Sequence, residues 1–146
     1  YNIYEAAKKT ISLTKDIENI KDFIQIQKIR YHQLTVSFIE DIDNPFQKIS
    51  PLILIQFVEN AFKHGVSESL GEAFITVDIR LKNGILIYFI ENTKQKQPHE
   101  HSTKIGLKNI RRQLELLYPN HTLSVEDKNN RYSVTLTIDF YDTTSH

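Results

Sequence analysis

Apolar residues recur along the chain with two different periods, and the switches between them mark its elements. Leu13, Ile17, Ile20 and Ile24 fall at helical spacing, so residues 13–31 are predicted as a helix with Ser12 or Thr14 as its N-cap. Alternation over 34–38 predicts a short strand, and the polar stretch 41–48, which contains Pro45, a loop. Ser50-Pro51 sets a capping hydroxyl before a proline suited to a first helical turn. The helix that follows should run to about His64 and leave through Gly65. Residues 73–81 alternate strictly, Asn83-Gly84 is a hairpin turn signal, and 85–90 is apolar on both faces, as expected of a central strand. Residues 94–104 are polar and aperiodic and read as a mobile, lid-like loop. Leu107, Ile110, Leu114 and Leu117 then define the buried stripe of a helix over 105–118, ended by Tyr118-Pro119. Two last strands are predicted around 122–126 and 132–140.

Strands that are apolar on one face ask for helices on one side only. The pattern therefore predicts an α/β fold, a two-layer sandwich in which helices pack on one face of a mixed sheet.

Composition narrows the function. With 146 residues the chain suffices for one domain with a sizeable core, and 40% hydrophobic residues with only 4 Gly and 4 Pro exclude a disordered or fibrous chain. The 18 basic and 18 acidic residues cancel, leaving no electrostatic footprint for nucleic acid or an anionic membrane. Absence of cysteine removes disulfides, thiolate zinc sites and a cysteine nucleophile. The longest apolar runs, 52–55 and 85–90, are too short to cross a bilayer as helices, and no signal-peptide pattern opens the chain. Methionine is missing even at position 1, so the chain is expected to be a segment of a longer protein.

The 51–65 helix carries the chemistry. Most of it is apolar, yet Gln56, Glu59, Asn60 and Lys63 stack at i, i+3, i+4 and i+7, with His64 at the stripe's edge. Such a stripe can be the solvated face of an amphipathic helix. Two carboxamides, one carboxylate and one amine are unlike the usual Lys/Glu-rich face, however, and suit a concave site for a metal-bound polyphosphate. A carboxamide oxygen is a hard ligand for Mg²⁺, a lysine neutralises phosphate, and a carboxylate can orient a water or accept a proton. His32, His99, His101 and His121 fall in predicted loops or near strand ends; a metal pair of His99 and His101 would lack a third ligand.

PLILIQFVENAFKHG resembles the N-box of LytS/YehU-type sensor histidine kinases. KIGLKNIRRQLELLYP resembles the second glycine box of the same family, and IENIKDFIQIQKIRY the stretch linking its phospho-acceptor helices to its ATPase domain. The resemblance implies a GHKL-type fold holding ATP between the N-box helix and the 94–104 lid. It divides the chain into the end of the phospho-acceptor and linker region, 1–31, and an ATP-binding catalytic domain, 32–146. On that likeness Asn60 would coordinate Mg²⁺ and Lys63 and His64 would face the phosphates. Gln56 stands where several GHKL ATPases keep a general-base glutamate, and Glu59 is the carboxylate nearest to assist transfer. The first glycine box is normally D-x-G-x-G; here Glu91-Asn92-Thr93 has no glycine, and either Glu91 or Asn92 could accept from the adenine amino group. The second box has Lys104 in place of its first glycine and keeps Gly106, so the amides opening the next helix, those of Gly106 and Leu107, could meet phosphate, with Lys104 and Lys108 adding charge.

The implied activity is donation of the γ-phosphoryl of Mg-ATP to a histidine on an upstream helix, normally within a homodimer, with a response regulator as indirect partner. It would act on the cytoplasmic side of a membrane-anchored bacterial sensor, without itself touching nucleic acid or membrane. The family's P-H-F-like acceptor segment is absent, so none of the six histidines is the acceptor. The alternative is a GHKL-fold regulatory module with weak or no ATP binding, which the missing glycines favour. A GHKL hydrolase is disfavoured because Gln56 has no carboxylate to activate water.

Overall fold

The computed structural model describes residues 9–31, 33–51, 53–64, 72–93 and 100–141, with the backbone alone at 64 and 100–106. A two-residue strand β1 (Ile11–Ser12) feeds directly into helix α1 (Leu13–Arg30). Ser12 is the cap: its Oγ accepts from the Lys15 N–H at 3.2 Å, while the Thr14 hydroxyl donates to the Pro45 carbonyl. Leu13, Ile17, Ile20 and Ile24 are all buried, as their spacing requires.

Strand β2 (Leu34–Ile42) outlasts its apolar alternation. It pairs in parallel with β4 (Ala73–Lys82) as far as Ile42 opposite Leu81, although 41–42 carry the signature of a loop. Its charged end looks loop-like in sequence because it lies on a sheet edge, where Glu40 and Asp41 meet Lys21 and Lys82. A second tiny strand, β3 (Lys48–Ile49), pairs with β1; two residues are too few to show a period.

Helix α2 (Leu54–His64) begins beyond its expected cap. Ser50 is buried, its N–H donates to the Tyr118 hydroxyl at 2.7 Å, and its Oγ has no partner among the described residues. Ser50-Pro51 thus anchors the approach to the helix rather than starting it; Gly65, the expected exit, lies outside the described residues.

Asn83 and Gly84, at φ 52° and 78°, turn β4 into the antiparallel strand β5 (Ile85–Thr93) as the sequence predicts. Helix α3 (Glu100–Leu117) follows, then β6 (His121–Asp127) and β7 (Arg131–Asp139). The five long strands run in the order β2-β4-β5-β7-β6, antiparallel except for β2 with β4, and so form the expected mixed sheet. β5 is central, but it is covered on one face only: Leu86, Tyr88 and Ile90 are buried, whereas Ile85 and Ile87 are 41% and 44% exposed. The helices among the described residues all serve the covered face.

α3 starts earlier than its apolar stripe suggests and takes in 100–104, which look like loop in sequence; 94–99 lie outside the described residues. Leu107, Ile110 and Leu114 are buried against the sheet. α2 packs between α1 and α3 and against β5. The Tyr88 phenol pins it there, donating to the Leu54 carbonyl at 2.9 Å while its ring meets Phe57 edge-on. Among the described residues no helix is long and apolar enough to cross a membrane.

Candidate functional site

The polar stripe of α2 does not face a single pocket. At about 100° per residue, Asn60 lies about 40° to one side of Gln56 and Glu59 about 60° to the other. Contacts follow that split. Gln56 Nε2 donates to Gln113 Oε1 of α3 at 2.6 Å, so Gln56 faces α3, and Asn60 lies on the flank of Gln56 away from Glu59. Glu59 and Lys63 border a cleft of about 330 Å³ on the opposite side, against Gln27, Arg30 and Tyr31 at the end of α1. Gln56 and Asn60 are half-buried, while Glu59 and Lys63 are exposed. A stripe narrow in sequence is therefore split between two neighbours, because α2 is flanked by a helix on each side. His64 ends α2, and its side chain lies outside the described residues.

Strand geometry also divides the two adenine candidates, since neighbouring residues point to opposite faces. Asn92 turns toward the helix layer and is 4% exposed. Its Nδ2 donates to the Thr93 carbonyl at 2.9 Å, and its Oδ1 takes no hydrogen bond from the described residues. Glu91 lies on the uncovered face, where Arg131 donates to it at 3.4 Å. Glu91 is thereby on the opposite side of the sheet from α2 and α3.

The expected phosphate amides are corrected as well. Because α3 opens at Glu100, Gly106 and Leu107 sit past its first turn, where each N–H has an intrahelical carbonyl partner. Only the first turn, 100–103, has amides to spare. The Leu107 side chain joins the core at 8% exposure; Lys104 lies just beyond that first turn, and its side chain, like that of His101, is outside the described residues.

One residue beside Asn92 carries no mark in the sequence. Tyr132 of β7 stands directly opposite Asn92 on the same face, and its hydroxyl is fully buried with no partner among the described residues. Burial, with Asp127 nearby, pushes this phenol up to about 12, against the opposing pull of Arg111 on α3. In sequence Tyr132 is one more step of an alternating strand; only the strand register brings it next to Asn92. Among the described residues no group of three or more His, Asp or Glu side chains could hold a metal ion.

No family model matches the chain. It is 33% identical over 132 residues to the sensor histidine kinase YpdA of Escherichia coli K12, covering 81% of this chain and 23% of that protein. It is 24% identical over 106 residues to the sensor protein LytS of Staphylococcus epidermidis, covering 72% of this chain and 18% of LytS. The chain thus spans about a quarter or less of the relatives' length. Among solved structures, the catalytic domain of histidine kinase ThkA superposes with a TM-score of 0.63 at 16% identity, over 90% of this chain and 95% of that one. The chain belongs with the LytS-type sensor histidine kinases and has the fold of a histidine kinase catalytic domain.

Proposed function

We propose that this domain binds Mg-ATP between α2 and α3 and donates the γ-phosphoryl group to a histidine on an upstream segment absent from this chain. The observation that supports it most is the half-buried Gln56 and Asn60 flank, held to α3 through Gln56, with the carboxamide of Asn92 buried under the same helix layer. The donor set suits the ligand. Asn60 offers a neutral oxygen to magnesium carried in on the phosphates; Lys63, although it borders the cleft beside α1, and His64 are the basic residues that close α2 and the candidates to neutralise phosphate charge. Lys104 and the first-turn amides of α3 supply the second wall. Asn92 Oδ1 accepts from the adenine amino group.

In the transfer step the bond from the γ-phosphorus to the β–γ bridging oxygen breaks as a bond to an imidazole nitrogen forms, and ADP leaves. Glu59, exposed at the cleft beside α1, takes the imidazole proton. Gln56 stands without a carboxylate where water would be activated, and its amide is held by Gln113, which favours transfer to histidine over hydrolysis. Rate then comes from positioning and charge neutralisation.

In the intact protein the partners are its own phospho-acceptor helix, within a homodimer, and a response regulator, on the cytoplasmic side of a membrane-anchored sensor. Residues 1–31 lead in from that acceptor region and 32–146 bind the nucleotide. The test is autophosphorylation of the full-length protein from γ-labelled ATP. Acid-labile, base-stable label that Asn60→Ala removes without lowering the melting temperature is expected. Absence of label in the unsubstituted protein would point to the regulatory module instead.

A further inference from the structure

Resting on the nucleotide site proposed above, the geometry points to Tyr132 as a second base-reading residue that works as a pair with Asn92. The two side chains face each other across β5 and β7 on the helix side of the sheet. Each brings one complementary capacity. The Asn92 amide is oriented by its own Nδ2, which is committed to the Thr93 carbonyl, so Oδ1 is left as an acceptor. The Tyr132 hydroxyl is buried and donates to nothing among the described residues. A buried hydroxyl without a partner is costly to keep, and a ligand that accepts from it would recover that cost.

An acceptor beside a donor matches the Watson–Crick edge of adenine, where the exocyclic amine donates and the neighbouring ring nitrogen accepts. Guanine presents the reverse order, a carbonyl oxygen and a ring N–H. The phenol could rotate to accept, but the Asn92 amide cannot turn without giving up Thr93. The pair therefore selects ATP over GTP. It also offsets the glycine-free first box: a phenol on the neighbouring strand supplies part of the base recognition that an aspartate and a glycine-bearing backbone would otherwise provide.

The experiment is calorimetric titration of the chain and its Tyr132→Phe variant with Mg-ATP, Mg-GTP and magnesium tripolyphosphate, with nucleotide-free melting curves for both. The unsubstituted chain should prefer ATP to GTP. Tyr132→Phe should weaken ATP about tenfold, equivalent to ~1.4 kcal/mol, and leave tripolyphosphate unchanged. Its nucleotide-free melting temperature should hold or rise, because an unpartnered hydroxyl is gone. Equal affinity for ATP and GTP in the unsubstituted chain overturns the inference, as does ATP binding indifferent to Tyr132→Phe. Equal losses for ATP and tripolyphosphate together with a lower melting temperature also overturn it, since they mark a packing role. If the unsubstituted chain binds no ATP at all, the nucleotide site itself falls and this pair with it.

Discussion

Asp16 is 1% exposed in the first turn of α1, and its Oδ2 has no partner among the described residues. Desolvation raises its pKa from 3.8 to about 6, and its charge acts on the phenols of Tyr88 and Tyr118, both pushed upward chiefly by burial. A raised carboxyl pKa means that the fold prefers the protonated form. The resulting stability is present in full below about pH 4 and is lost as pH rises through about 6. Asp16→Asn should therefore unfold like the parent near pH 3.5 and be the more stable of the two at pH 8, by at most about 3 kcal/mol, read by denaturant melts at each pH. Tyr88→Phe should do the opposite and cost about 0.5–1.5 kcal/mol at every pH below the phenol's titration, because it removes the buried hydrogen bond from the phenol to the Leu54 carbonyl. Neither residue announces itself in sequence. An aspartate near a helix start reads as an exposed dipole partner, and only tertiary packing buries it, within electrostatic reach of Tyr88 and Tyr118.

At the scale of elements, periods are readable and faces are not. The helices and the strict alternation of 73–81 follow from spacing alone, and the Asn83-Gly84 turn follows from the positive φ that few residues tolerate. Gly84→Ala should cost about 1–2 kcal/mol in thermal unfolding, since its Cβ would keep φ at 78° and meet the Tyr141 ring at 2.2 Å. Sequence cannot tell that Ile85 and Ile87 stay uncovered, because an apolar central strand looks the same whether one or two layers flank it. The site suffers from the same blindness. Helical spacing assembles Gln56, Glu59, Asn60 and Lys63 into one stripe, but which of them turns to α1 and which to α3 depends on the neighbours. Likewise Glu91 and Asn92 are equal candidates until the sheet gains its covered side.

Over the whole molecule, α1 is part of the hydrophobic core although its sequence resembles a linker. Leu13, Ile17, Ile20 and Ile24 are buried in the cluster that also holds α2 and the sheet. Burial of such side chains contributes about 1.5–3 kcal/mol each. Together that rivals the usual margin of about 5–15 kcal/mol for a domain. A chain trimmed to start at residue 32 should accordingly lose its cooperative melting transition. A trimmed chain that melts like the parent would mean that the linker helix is dispensable. With α1 seated on α2, and α2 held to α3 through Gln56, the helix reaching toward the upstream segment is packed directly against the helix proposed to carry the nucleotide's metal. Magnesium-dependent nucleotide binding on α2 is the central property of the domain as proposed. Calorimetric titration of this chain with Mg-ATP, beside Asn60→Ala, is its most direct test. Saturable binding that requires magnesium and weakens at least about tenfold in the folded variant is expected. No heat at millimolar nucleotide, or binding indifferent to both magnesium and Asn60, would contradict it.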